Sequence, residues 1–183
     1  TSIFGPTSGD IAIIDPGPES DAHLNAILSS VDRDQKVTHI LVTHSHVDHS
    51  PLAARLSRET TAPIYAFGPS DAGRSRAMQT LIASGYAGGG EGIDHRFQPD
   101  HKVQDGDTLT IGDYTLDVIH TPGHMGNHVC FAYNDSLFSG DHVMGGLRDG
   151  HYLWLGVVQV VALGHHQLNG VWRELAVLSR FAA

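Results

Sequence analysis

Three imidazoles and a carboxylate fall within six positions in Thr43-His44-Ser45-His46-Val47-Asp48-His49-Ser50, directly behind an apolar, β-branched run from Val37 to Val42. Nothing else in the chain constrains it as strongly. The run, broken only by Thr38 and His39, suits a strand covered on both faces. Residues two apart in extended backbone point the same way, so His44 and His46 converge while Val47 turns aside. A helix is expected over Ser50-Pro51-Leu52-Ala53-Ala54-Arg55-Leu56, with the proline in its first turn. The bend before it aims Asp48 and His49 at a second position. A lone exposed histidine is ordinary surface; three beside an aspartate at a strand end are hard to explain by packing. Imidazole and carboxylate are the expected donors to a catalytic zinc.

The 183 residues suffice for one domain with a real core. A hydrophobic share of 40% with 17% charged residues, and no apolar stretch long enough to span a bilayer, describe a soluble chain. The formal net charge of -9, with only 11 Lys and Arg, disfavours a broad nucleic-acid surface or an anionic membrane as partner. The lone cysteine, Cys130, lies in an apolar run, reads as core, and allows no disulfide within the chain. With no visible signal peptide, a reducing, cytoplasmic location is expected.

Along the chain, strand and helix alternate as in an α/β protein. Asp10 to Ile14 reads as a strand stopped by Pro16-Gly17-Pro18, and Ser20 to Val31 as a helix capped by Ser20 with Leu24, Ile27, Leu28 and Val31 on one face. A short strand over Ala62 to Phe67 follows. Gly68 to Gly92 predicts one helix around Arg74 to Ala83 and a flexible connection at Gly88-Gly89-Gly90-Glu91-Gly92; no Gly-Lys-Ser/Thr follows that would make the glycines a phosphate cradle. Thr108 to Ile111 and Tyr114 to Ile119 form a hairpin, and strands over His128 to Tyr133 and Leu137 to Ser139 flank a turn at Asn134-Asp135. Both His120-Thr121-Pro122-Gly123-His124 and Gly140-Asp141 thus put polar groups at strand ends. Tyr152 to Leu163 reads as a buried strand or helix. Leu168, Val171, Trp172, Leu175, Leu178 and Phe181 fall on one helical face, with Asn169 as a possible cap.

The His-x-His-x-Asp-His motif resembles the signature of the metallo-β-lactamase superfamily. Ile14-Asp15-Pro16-Gly17-Pro18, Thr121-Pro122-Gly123-His124 and Phe138-Ser139-Gly140-Asp141-His142 resemble its other motifs, in the same order. The likeness runs from Thr1 to Met144 and points to the branch holding glyoxalase II-like hydrolases and the β-lactamase-like protein 2 group. It implies an αββα four-layer sandwich in a single domain over 1–183, with 145–183 divergent. The family places one or more strands ahead of Thr1-Ser2-Ile3-Phe4-Gly5, and this chain opens without a start methionine. A fragment or processed form, shortened at both ends, is therefore expected.

By the same resemblance, His124 joins His44 and His46 on one ion, while Asp141 bridges to a second ion shared by Asp48 and His49. Asp15, otherwise a turn aspartate bonding its own backbone, would orient metal ligands from behind. His120, His128 and His142 are expected beside the ligands rather than among them. The family closes its second site with a late histidine in a Pro-Gly-His-Gly turn. Here the candidate is His165 in Leu163-Gly164-His165-His166, and its short spacing from Asp141 favours an ordinary polar turn over ligation. Two zinc ions are the expected cofactors, with iron or manganese as substitutes. The implied activity is hydrolysis of an ester, thioester, lactone or β-lactam by a hydroxide held between the ions, Asp48 orienting that nucleophile or handling its proton. Three alternatives stand beside it: an RNA phosphodiesterase, a mononuclear iron enzyme of sulfur oxidation, and a metal-binding fragment without activity. His46 stands where diiron electron-transfer relatives carry Glu, which argues against that class.

Overall fold

The computed structural model describes residues 1–86 and 92–142, together with the backbone of strands at Met144–Arg148, His151–Trp154 and Val158–Gln159. Its first sheet has five strands in chain order: β1 (Ser2–Phe4), β2 (Gly9–Ile14), β3 (Gln35–Leu41), β4 (Ile64–Ala66) and β5 (His101–Lys102). β2 to β5 run parallel and β1 antiparallel. Parallel neighbours need crossovers. Helices α1 (Asp21–Ser29) and α2 (Ala53–Thr60) provide two of them, and α3 (Arg76–Ala83) lies in the third.

The second sheet is antiparallel, built from β6 (Thr108–Ile111), β7 (Tyr114–His120), β8 (Val129–Tyr133) and β9 (Ser136–Phe138). The strands at Met144–Arg148 and His151–Trp154, β10 and β11, pair with each other, and β12 (Val158–Gln159) closes the edge of the second sheet against β9. The run at Tyr152 to Leu163, open between strand and helix from sequence, is thus extended at 151–154 and 158–159.

β2 accounts for the layering. Its alternate residues face opposite ways, as in any strand. Ile11 and Ile13 join Leu24 and Ile27 of α1 and Leu56 of α2 in one apolar cluster. Ala12 and Ile14 join Leu116, Val118, Val129 and Phe131 of the second sheet in another. Helices therefore pack on one face of the first sheet and the second sheet on the other. Each large apolar side chain so buried contributes about 1.5–3 kcal/mol. β3 is covered on both faces as its apolar run predicts, with a register shift against β2 between the Ile11–Val37 and Ala12–His39 pairs. Thr38 is the extra residue, and the bulge lets Val37 and Ile40 face the helix side together. The outward face of β7 stays open, Ile119 being exposed. The fourth layer of the expected sandwich, and the apolar helical face over 168–181, lie outside the described residues.

α2 starts at Ala53, three residues later than expected, because Ser50 N–H turns back to His46 O and Leu52 N–H bonds Gly17 O. Those bonds tie the chain into a tight turn that holds Asp48 and His49 before the helix begins. Ser20 caps α1 as expected. β5, two residues long, is too short to leave a periodic signal in sequence.

Candidate metal centre

Four turns meet at one end of the seam between the sheets. β3 leads into His44, His46, Asp48 and His49; β2 into Asp15; β7 into the turn bearing His124; β9 into Asp141. His44, His46, His124 and Asp141 bring one donor atom each to within 4.8 Å of one another, and Asp48, His49 and Asp141 do the same beside them. His46 Nδ1 lies 3.0 Å from His44 Nε2 and 2.9 Å from His124 Nε2. Asp141 Oδ2 stands 3.5 Å from His44 Nε2 and 3.2 Å from His124 Nε2. Its Oδ1 faces His49 Nε2 at 3.2 Å, and Asp48 Oδ2 is 3.6 Å from that nitrogen. Asp141 thus turns one oxygen to each group. Three ring nitrogens about one point repel unless a cation or proton lies between them, so the donor set fits a divalent metal.

Behind these donors stands Asp15, at a backbone φ of 48° that few residues other than glycine adopt. Its Oδ1 accepts from Thr43 N–H, and its Oδ2 from both the Thr43 hydroxyl (2.8 Å) and His49 Nδ1–H (3.0 Å). Because that hydroxyl spends its proton on the carboxylate, it must accept from His44 Nδ1–H, 3.0 Å away. One carboxylate thereby fixes two imidazoles, His49 directly and His44 through Thr43, and leaves each Nε2 facing the donors. Burial alone would raise the Asp15 pKa, but His49 and His44 and the Thr43 N–H outweigh it and bring it to about 2. Burial lowers His49, yet the Asp15 and Asp141 carboxylates carry it up to about 10 in the metal-free chain. His46 moves the other way, to about 4, through burial and the neighbouring His44 and His124 rings. His124 is lowered for the same reasons. Asp141 is held well below the usual carboxylate range: burial opposes this, but hydrogen bonds from His44 and His49 prevail.

The remaining histidines sort by contact. His128 is fully buried; its Nε2 accepts from Asp141 N–H (3.2 Å), so Nδ1–H donates to Thr121 Oγ1 (2.8 Å). Burial and the nearby His44 keep it neutral, with a pKa of about 3. It supports the Asp141 backbone rather than offering a donor. Gly140, at φ +47°, lets β9 turn there, since a Cβ would stand 2.5 Å from Thr43 Oγ1 and 2.8 Å from His128 Nε2. His120 stacks on Phe67, centroids 4.0 Å apart, and its Nε2–H donates to Gly126 O. His142 is exposed, its ring 6.0 Å from that of His128. His165 lies outside the described residues. Sequence reasoning missed Thr43 as the link between Asp15 and His44; its place immediately before the first histidine was the available signal.

A family model described as the metallo-beta-lactamase superfamily matches residues 3–178. A hydroxyacylglutathione hydrolase of Xylella fastidiosa is 36% identical over 137 residues, spanning 73% of this chain and 41% of that protein. An uncharacterized protein of Aquifex aeolicus is 33% identical over 137 residues, spanning 73% of this chain and 60% of its own. The chain therefore covers about half the length of these relatives. The crystal structure of ETHE1 from Myxococcus xanthus superposes with a TM-score of 0.54 at 23% identity, over 76% of this chain and 50% of that one. BLEG-1 B3 metallo-beta-lactamase gives 0.53 at 25%, over 76% and 65%. With the family model matching nearly end to end, the chain belongs to the metallo-beta-lactamase superfamily.

Proposed function

We propose that the chain is a metal-dependent hydrolase of acyl substrates, a thioester first among them, with zinc at two adjacent positions. One observation carries this: His44, His46, His124 and Asp141 converge on one point while Asp48 and His49 flank it through the shared Asp141. The relatedness to a hydroxyacylglutathione hydrolase favours an acyl group carried on sulfur over a lactone, a β-lactam or an RNA phosphodiester. The acidity of the chain also weighs against RNA.

In this reading His44, His46 and His124 would hold the first ion and Asp48 and His49 the second, with Asp141 offering one carboxylate oxygen to each group. The chemistry such ions supply is Lewis-acid polarisation of an oxygen and activation of water near neutral pH. The protein's own part is orientation. Asp15 and Thr43 fix the two imidazoles, and His128 fixes the Asp141 backbone, so that the donors need no rearrangement. Asp48 is the catalytic residue: its carboxylate is 68% exposed beside His49, free to take the proton of an attacking water. His165 is the family-like candidate for a further donor to the second group, although its short spacing from Asp141 favours an ordinary polar turn; His165→Ala and the affinity for the second ion test it. A single domain in a reducing cytoplasm fits the lone buried Cys130. Among the described residues no helix is long and apolar enough to cross a membrane.

Elemental analysis of the purified chain, with hydrolysis assayed on thioester, lactone, β-lactam and phosphodiester substrates, tests the reading. More than one zinc per chain with thioester turnover is expected. A single iron would move the assignment to sulfur oxidation. No transition metal, on gentle purification or on reconstitution, removes its basis.

A further inference from the structure

Asn127 offers no atom to either donor group, yet its amide is committed deep beneath them. It is 1% exposed, and its Nδ2 lies 3.0 Å from Ser45 Oγ, 3.1 Å from Gly68 O and 3.2 Å from Pro69 O. Two N–H bonds serve three acceptors. Its Oδ1 is buried with no hydrogen-bond partner among the described residues. A buried acceptor left unmatched is a cost, which the bonds on the N–H side offset. Ser45, itself fully buried, sits between His44 and His46; Asn127 sits three positions after His124. The side-chain bond extends a backbone one, Val129 N–H to Thr43 O at 2.8 Å, that joins the same two turns. The segment receiving the other two bonds is seated hard against the His124 turn: a Cβ on Gly73 would lie 2.0 Å from Gly126 O.

We propose that Asn127 is a positioning residue for the first donor group, acting through Ser45 to hold the His44-Ser45-His46 turn of one sheet at a fixed distance from the His124 turn of the other. The inference rests on the metal-binding reading of those histidines. Asn127 sets how far His124 stands from His46, and hence how well three imidazoles fit one ion. Ligand-supporting hydrogen bonds of this kind typically change metal affinity by about 10–100-fold.

The test uses the full chain and its Asn127→Asp, Ser45→Ala and doubly substituted forms. Asn127→Asp keeps the shape and removes both N–H donors. Zinc affinity is measured against a chromophoric chelator, the cobalt(II) absorption spectrum reports imidazole geometry, and thermal unfolding of the metal-free proteins reports the fold. Asn127→Asp should bind the first zinc about 10–100-fold more weakly with an altered cobalt spectrum. Ser45→Ala should lose less in the same direction, and the double variant no more than Asn127→Asp alone. Wild-type affinity and spectrum in both single variants, or losses that simply add, overturn the proposal. If Asn127→Asp does not fold, Ser45→Ala decides, and unchanged affinity there overturns it. A wild-type chain that takes up no metal defeats the ligand reading first, and this inference with it.

Discussion

The two donor groups share Asp141 and are otherwise built differently. In the first, His44 is fully buried, is held by Thr43, and converges with histidines from the turns after β3 and β7. In the second, His49 is gripped by Asp15, but its neighbour Asp48 has a carboxylate 68% exposed, against 6% for Asp141. The first group rests on two buried donors, His44 and Asp141, with His124 as its exposed member, whereas the second turns the carboxylate of Asp48 to the outside. A rigid set of donors binds tightly because little ordering remains to be done, whereas an exposed carboxylate is available to a substrate. In the proposed reading, the difference separates holding from reacting.

The largest expected effect comes from breaking the first group. His46→Ala should empty the first group and cut hydrolysis by more than about 100-fold, beyond what losing a supporting hydrogen bond does; metal content and turnover measured together check it, and full metal content would contradict the ligand assignment. Asp48→Asn touches only the open side. Turnover should fall by roughly 10²–10⁴-fold with the unfolding temperature of the metal-free chain unchanged, the signature of a lost proton acceptor, and normal turnover would remove Asp48 from the chemistry. Asp15→Asn should weaken both groups by about 10–100-fold, since one carboxylate orients His44 and His49 alike; loss confined to one group would show that the Thr43 link carries nothing.

The smallest effect is a contrast in pH. His46 is already neutral near pH 7, its pKa standing at about 4, whereas His49 at about 10 must give up a proton before its Nε2 can bind an ion. Uptake by the second group should release about one proton per ion and strengthen about tenfold per unit between pH 7 and 9, while uptake by the first stays nearly flat. Calorimetry in buffers of different ionisation enthalpy measures this, and equal proton release at both steps would contradict it. In the metal-free chain the His49 pKa is raised above its ordinary value of 6.5. Its contribution to stability is therefore complete below about pH 6.5 and lost as pH rises toward 10. Asp15, held at about 2, contributes above its ordinary value of 3.8 and loses that contribution as pH falls toward 2.

What the sequence made legible was local. His44 and His46 are two apart on a strand end, and a spacing of two is a direction in extended backbone. The helix cap at Ser20 and the hairpin at Gly112-Asp113 are likewise settled within a few residues. His124 and Asp141 were reachable only through resemblance, because no local period relates them to His44. The support beneath the donors was harder still. Asn127 meets Ser45 across 82 positions, and Thr43 meets Asp15 across 28. The first pair exists only once β3 and β8 have packed and the second only once β2 and β3 have paired, and no propensity or spacing encodes either. The delayed start of α2 has the same origin, since Gly17 O, far behind in sequence, accepts the Leu52 N–H.

The donors come from both sheets: His44, His46, Asp48 and His49 follow β3 of the parallel sheet, while His124 and Asp141 follow β7 and β9 of the antiparallel one. A cation held as proposed would be bonded to both halves of the sandwich at once and would act as a rivet across their seam. Mass action then makes the cohesion of the two sheets a function of free metal concentration, by about 2.7 kcal/mol at a hundredfold excess over the dissociation constant. A chelator would act on this protein as a denaturant as well as an inhibitor.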